Sequence, residues 1–216
     1  MKKILVSFVL MASSIISNAQ AWETIRHGDL LTFQLPGKYT KKDTLGASIY
    51  QSEIDDTTYI CSFMKDAQPL RFESNESIDA FYNDYFDNLV AKSNKPQIIK
   101  KEIVEFGQFR ALRATLQRNI IIKELTWEIL TLHVKNTTLS FQCLTQKKAK
   151  AQFERLEKSI QFNAALTRKD QISEPATSAL ATSSNQYIEY AFYTLVGIIV
   201  IIVFGRLLFF KKKKAE

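Results

Sequence analysis

Two apolar runs bracket this chain and limit what any part of it can fold into. The later one is the stricter constraint. Ala191 to Phe210 is a run of 20 residues, fourteen of them Leu, Ile, Val or Phe. At ~1.5 Å per residue a helix of that length crosses a hydrocarbon core of about 30 Å. Its aliphatic and Phe side chains favour insertion by roughly 4–8 kcal/mol, and Arg206 opposes this by at most about 3 kcal/mol. Arg206 lies close enough to Lys211 for its guanidinium to reach the interface, so insertion wins. The reading is a transmembrane helix over residues 190–210. Tyr187, Tyr190 and Tyr193 form its outer aromatic belt, and Arg206 with Lys211, Lys212, Lys213 and Lys214 acts as the topology anchor.

The early run is shorter. Lys2 and Lys3 precede Ile4 to Ile16, 13 apolar-rich residues, and then Ser17-Asn18-Ala19 and Ala19-Gln20-Ala21 both fit a small-x-small cleavage site. A run of this length between a positive start and small residues reads as a secretory signal peptide over residues 1–21. Positive flanks stay in the cytoplasm, so residues 211–216 become a basic cytoplasmic tail. The expected address is a bacterial inner membrane, with a single type I span and the folded domain in the periplasm.

Charge supports that layout. The chain carries a formal net charge of +7, but Lys2, Lys3, Arg206 and the four terminal lysines account for it. Between residues 22 and 189 the balance is 22 basic to 21 acidic side chains. A nucleic-acid surface needs clustered excess cations, so none is expected. The expected partners are the lipid bilayer and a protein of the envelope.

The part between the runs is one domain, residues 22–162, followed by an Ala-, Ser- and Thr-rich flexible tether over residues 163–189. Its roughly 24–27 residues have a reach of about 25–30 Å. Within the domain, Thr32 to Leu35, Ala47 to Ser52 and Thr57 to Met64 read as strands, with a turn at Asp55-Asp56. The period then changes. Ile78, Phe81, Tyr82, Tyr85, Phe86, Leu89 and Val90 recur at three and four, one face of an amphipathic helix with Ser77 as its expected N-cap. Four strands follow: Gln97 to Glu105, Gln108 to Gln117, Lys123 to Val134 and Thr137 to Thr145. They hinge at Phe106-Gly107 and Lys135-Asn136. In the third of them Trp127 and Ile129 face one way and Leu130, Leu132 and Val134 the other, as in a strand covered on both faces. Ala149, Phe153, Leu156 and Ile160 mark a second helix. The expected fold is α+β, an antiparallel sheet with helices on its faces.

Candidate chemistry is sparse. His27 and His133 stand far apart, with no Cys or carboxylate at ligand spacing, and His133 is in phase with Trp127 and Ile129, so a structural histidine is expected. Cys61 and Cys143 each lie on an apolar strand face. They are either two free buried thiols or a disulfide in an oxidising compartment. No nucleophile elbow, phosphate loop or zinc-protease signature occurs, and no metal or cofactor site is expected. Phe81, Tyr82, Tyr85 and Phe86 either pack the core or form a partner or ligand surface.

Four segments together carry a family resemblance. Phe33-x-Leu35-Pro36-Gly37, the mid-chain helix, Phe106-Gly107-x-Phe109-Arg110-Ala111 and Phe153 followed by Ser159-Ile160 resemble the PsbP-like superfamily, including its DcrB-like members, over about residues 24–162. The resemblance implies an α/β/α sandwich and a binding or accessory role rather than catalysis. The expected function is thus a membrane-tethered, extracytoplasmic, non-catalytic interaction or assembly module. The alternative is a small-ligand or lipid-binding envelope protein with an apolar pocket beside the helix near residues 77–92. The topology makes one measurable statement: a tag fused after Glu216 is unreachable from outside unbroken cells and becomes reachable when the membrane is opened.

Overall fold

The computed structural model describes residues 21–172, apart from residues 45, 68, 94–95, 121–122 and 147–149. The expected signal peptide, span and basic tail lie outside the described residues. No helix among the described residues is long and apolar enough to cross a membrane.

A large antiparallel sheet of seven strands runs in the order β3-β4-β5-β9-β8-β7-β6. Its members are β3 (Tyr39–Thr44), β4 (Ala47–Ile54), β5 (Thr57–Lys65), β6 (Gln97–Phe106), β7 (Phe109–Ile120), β8 (Lys123–Val134) and β9 (Thr137–Thr145). Helix α1 (Asn75–Lys92) follows β5, and α2 (Lys150–Ser159) follows β9. A second sheet of three strands, ordered β1-β2-β10, joins β1 (Trp22–His27), β2 (Leu31–Pro36) and the short β10 (Gln161–Phe162). The class is α+β, as the pattern of periods implies. The small sheet is the departure: β1 and β10, like β3 at the edge of the large sheet, are too short or too exposed to show an apolar period, so only β2 of the small sheet is legible in advance.

The two faces of the large sheet hold two separate cores. One face carries Tyr59, Cys61, Phe63, Leu130, Leu132, Phe141 and Cys143, and meets Phe33 and Leu35 of β2 and Phe153 and Leu156 of α2. The other carries Leu112, Ala114, Leu116, Trp127 and Ile129, and meets Ile78, Tyr82, Tyr85, Phe86 and Leu89 of α1. Strand β8 supplies both cores by alternation, as expected for a strand buried on both sides. Phe33 anchors the small sheet. Its ring lies 5.4 Å from Phe63, 5.5 Å from Tyr50 and 5.9 Å from Phe141, in tilted or edge-to-face contacts.

Local chemistry sets the turns and caps. The β8–β9 hairpin closes with Val134 opposite Thr137, and Lys135 and Asn136 both take positive φ, 49° and 57°. Two central residues of that kind give the turn whose twist matches its strands. Gly107 at φ 62° does the same work between β6 and β7. Helix α1 starts earlier than Ser77. Ser74 is the N-cap, its side chain accepts from the Ser77 backbone N–H, and the Ser77 hydroxyl accepts from the Ser74 N–H in return. A serine three residues from another makes either one a plausible cap, and here the pair share the task.

Residues 163–172, expected as the start of a flexible tether, are instead folded onto the domain. Leu166 is buried in the first core and accepts through its carbonyl from the Gln108 side chain, while Ile172 packs on the second core. The segment is a strap that crosses from one face of the sheet to the other around its end. The remaining stretch, residues 173–189, lies outside the described residues.

Phe33→Ala leaves a cavity where both sheets meet, so it should lower unfolding stability by about 3–5 kcal/mol in a urea titration of the purified protein.

Candidate functional site

Strand β7 is the organising element because alternation sends its two central arginines to opposite faces. Arg110 reaches Asp79 on α1, with Nε to Oδ1 at 2.5 Å and Nη2 to Oδ2 at 2.7 Å. Arg113, three residues on, reaches Glu157 on α2, with Nη2 to Oε1 at 2.5 Å. A forked guanidinium on a carboxylate fixes direction as well as distance. Burial raises the pKa of Glu157 above its ordinary value, and the neighbouring Arg113 opposes that shift.

The β7–β8 ladder begins at Ala111 opposite Leu132, so the backbone groups of Arg110 and His133 lie just beyond its end. Two side chains satisfy them. The Tyr82 hydroxyl donates to the Arg110 carbonyl at 2.8 Å and accepts from the His133 N–H at 2.9 Å. Gln171, from the strap, accepts from the Arg110 N–H at 2.8 Å and donates to the Arg110 and His133 carbonyls at 2.7 and 3.1 Å. One tyrosine and one glutamine thereby finish a sheet edge that would otherwise bury unpaired polar groups. Burial pushes the Tyr82 hydroxyl well above the ordinary tyrosine value, so it stays protonated.

Beside this point lies a buried pair. His133 Nε2 is 2.7 Å from Asp66 Oδ2, and both side chains are almost fully buried. The rings of Phe72 and Phe81 stand edge-on to the imidazole at 5.1 and 5.8 Å. His133 Nδ1 has no hydrogen-bond partner. Along the strand, Trp127 Nε1 donates to Gln142 Oε1 at 3.3 Å and Gln142 Nε2 to Ser140 Oγ at 3.0 Å. Thr131 and Ser140 share a further bond at 3.3 Å. Burial pushes the Tyr85 hydroxyl up to about 12, opposed by its hydrogen bonds with Ser140 and Thr131. This is a polar strip under α1, built into a face that is otherwise apolar.

The residues singled out from sequence divide as follows. His133 is structural, tied to Asp66, and points to the α1 face as its phase with Trp127 implies. His27 stacks on Phe63 at 3.9 Å and lies 3.4 Å from the Tyr50 hydroxyl; burial, then Lys41, lowers its pKa. It meets no part of the His133 cluster. Tyr82, Tyr85 and Phe86 are buried and only Phe81 is partly exposed. The four aromatics therefore pack the second core rather than form a partner surface, because α1 lies directly on Leu112, Leu116 and Trp127 and its aromatic face fills the place where a pocket was expected. Cys61 and Cys143 are free and buried. They sit on adjacent strands but two positions out of register, with Cys61 opposite Phe141 and Cys143 opposite Tyr59. Diagonal Cα atoms lie ~7–8 Å apart, beyond a disulfide's reach. Burial pushes the Cys143 thiol up to about 12 and Cys61 well above its ordinary value, so neither is a thiolate nucleophile at neutral pH. Among the described residues no cluster of three or more His, Cys, Asp or Glu is placed to hold a metal. Gln171 and Asp66 carry no sequence signal, since each acts through loops whose path a period does not encode.

No protein-family model matches the chain, and no curated protein does. Solved structures show a partial likeness to it. A Bacteroides thetaiotaomicron protein is 10% identical over 62% of this chain and 46% of its own, with a TM-score of 0.39, so this chain spans just under half of that protein. Cyanobacterial PsbP from Synechocystis is 9% identical over 68% of this chain and 95% of its own, with a TM-score of 0.48. The Saccharomyces cerevisiae Ran-binding protein Mog1p is 7% identical over 67% of this chain and 97% of its own, with a TM-score of 0.40. The similar structures thus include a cyanobacterial PsbP and a yeast Mog1p.

Two outcomes follow from this geometry. Tyr82→Phe leaves the Arg110 carbonyl and the His133 N–H short of a partner, so it should cost about 1–3 kcal/mol in chemical denaturation with the fold retained. Glu157 has a raised folded-state pKa, so the native state holds its proton more tightly than the unfolded chain does. Its contribution therefore declines as pH rises from 4.5 through that raised value. Glu157→Gln should flatten the fall in stability across this window, read from urea midpoints at stepped pH.

Proposed function

We propose that this protein is a non-catalytic interaction or assembly module, held on the periplasmic side of the inner membrane by residues 190–210, with its C-terminus in the cytoplasm. Arg206 and Lys211 to Lys214 hold that orientation, and the partner is a protein of the envelope that docks on the domain.

The observation that carries the partner reading is the free edge of the large sheet. Strand β6 is ten residues long and has no neighbouring strand on its outer side among the described residues. Its register slips between Ile98 and Lys100, and Ile98 and Ile99 are 47% and 52% exposed. Unpaired backbone donors and acceptors beside exposed apolar side chains are a template for an added strand. Lys100 and Lys101 border the site and are paired with Glu102 and Asp87 of this chain, at 2.8 and 3.2 Å. The interior supports the same reading from the other side. The histidine most deeply placed is tied to a carboxylate, both thiols are held protonated by burial, and the tyrosine hydroxyls serve as structural bonds.

Ile99→Glu in the full chain should abolish capture of the envelope partner by a photo-crosslinker placed at Ile98, with the melting temperature unchanged because the site is exposed. Capture that persists undiminished, or turnover by the purified protein that a substitution within one cluster removes, would defeat the proposal.

A further inference from the structure

The middle of strand β6 is nearly self-complementary. It reads Ile99-Lys100-Lys101-Glu102-Ile103. Residues directly opposite each other on antiparallel strands point to the same face of the sheet. Two copies of one strand, related by a two-fold axis normal to the sheet, therefore place some residue opposite itself. With Lys101 on that axis, Lys100 falls opposite Glu102 of the second copy and Ile99 opposite Ile103, each contact occurring twice. Moving the axis by one residue puts Lys100 or Glu102 opposite itself, like charge against like. Moving it by two toward Phe106 leaves Ile98 and Ile99 outside the pairing, and moving it by two the other way leaves Glu102 to Phe106 unpaired.

The charges suit this alignment. Lys100 and Glu102 pair within their own chain at 2.8 Å. Two such pairs side by side in opposite sense close a ring of alternating charge. Lys101 on the axis is no obstacle, because its ammonium lies 3.2 Å from Asp87 on α1 and 4.7 Å over the Phe86 ring. An isolated lysine blunts a sheet edge, whereas a lysine with a carboxylate two residues on offers a copy of itself a match. The faces agree as well: Lys101 and Ile103 stand opposite Ala114 and Leu112 of the second core, and Lys100 and Glu102 opposite Thr115 and Arg113. The other edge of the large sheet, β3, has a similar charge order in Lys41-Lys42-Asp43. Threonines flank it, however, and its exposed apolar residue is Tyr39, so the isoleucines select β6.

We infer that β6 pairs antiparallel with β6 of a second copy of this chain, with Lys101 on the two-fold axis, so that one seven-stranded sheet continues into the other. The inference rests on the interaction reading and names its partner. A two-fold contact uses the same surface on both sides, so it closes at two copies and grows no fibre.

Lys101→Cys in the full chain, kept in its native membrane, provides the test. Opposed Cα atoms on antiparallel strands lie about 4.5–5.5 Å apart, within a disulfide's range. Oxidation by air with a copper catalyst should join the Lys101→Cys copies in pairs, while the parent chain, whose two thiols are buried, stays unjoined. Lys100→Cys alone should give roughly a tenth of that yield, because diagonal Cα atoms lie ~7–8 Å apart. Co-expressing Lys100→Cys with Glu102→Cys should restore it. Added to Lys101→Cys, Glu102→Lys should lower the yield roughly tenfold with melting unchanged, and the further change Lys100→Glu should bring it back. Absence of paired copies, pairing through Lys42→Cys instead, equal yields from all positions of β6, or no recovery in the charge swap would each overturn the inference. The photo-crosslinker at Ile98 separates it from the reading beneath it. Product with a different protein alone defeats the self-pairing and leaves the interaction reading standing, and product of neither kind defeats both.

Discussion

A sheet that buries both faces must hide its ends as well as its sides, and that requirement falls on Tyr82. Its ring belongs to the core under α1, and its hydroxyl stands where the β7–β8 ladder runs out. The helix therefore both packs on the sheet and completes its hydrogen bonding. Gln171 repeats the arrangement from the strap, so two elements distant in sequence converge on two backbone positions, Arg110 and His133. Any displacement of α1 along the sheet would leave those groups unpaired in a low-dielectric interior, where the penalty is largest.

The paired arginines of β7 extend that control to both layers. Arg110 directs α1 through Asp79, and Arg113 directs α2 through Glu157. Neither bridge is a large source of stability at its degree of exposure. Their role is orientation: Arg110 donates to both oxygens of Asp79 and Arg113 donates twice to Oε1 of Glu157, and each pair of bonds fixes where a helix lies over the strands. With the helices placed, the described residues have few reactive groups left over. The cysteines sit in the apolar core as thiols, and the imidazole most deeply buried faces a carboxylate and two phenyl rings. The interaction reading rests on this economy inside the domain and on the edge of β6, which has no neighbouring strand among the described residues.

Legibility followed the strength of each element's period. Strand β8 was readable on both faces because Trp127, Ile129, Leu130, Leu132 and Val134 alternate without interruption, and α1 because seven apolar residues recur at helical spacing. The β8–β9 turn was readable from Lys135-Asn136. Strands β1, β3 and β10 were not, since each is short and held chiefly by its neighbours. Nor was the strap. Its Ala-, Asn- and Thr-containing sequence looks like a linker, and it is folded by single anchors, Leu166, Arg168 and Gln171, rather than by a repeating pattern. The four aromatics of α1 were legible as a cluster, but whether they faced a partner or a core depended on the strands they met.

Composition and periodicity alone established the α+β class, the order of the main strands and helices, the close-to-neutral middle of the chain and the absence of a recognised catalytic signature. These are local or statistical properties, and each residue carries its share of them. Tertiary structure alone decided that Cys61 and Cys143 stand two positions out of register, that His133 meets Asp66, and that Gln171 closes the sheet. Those outcomes depend on strand register and on the path of loops, which arise from contacts between residues as much as 134 positions apart. No local pattern can encode a distance of that kind, because it exists only once both cores have formed.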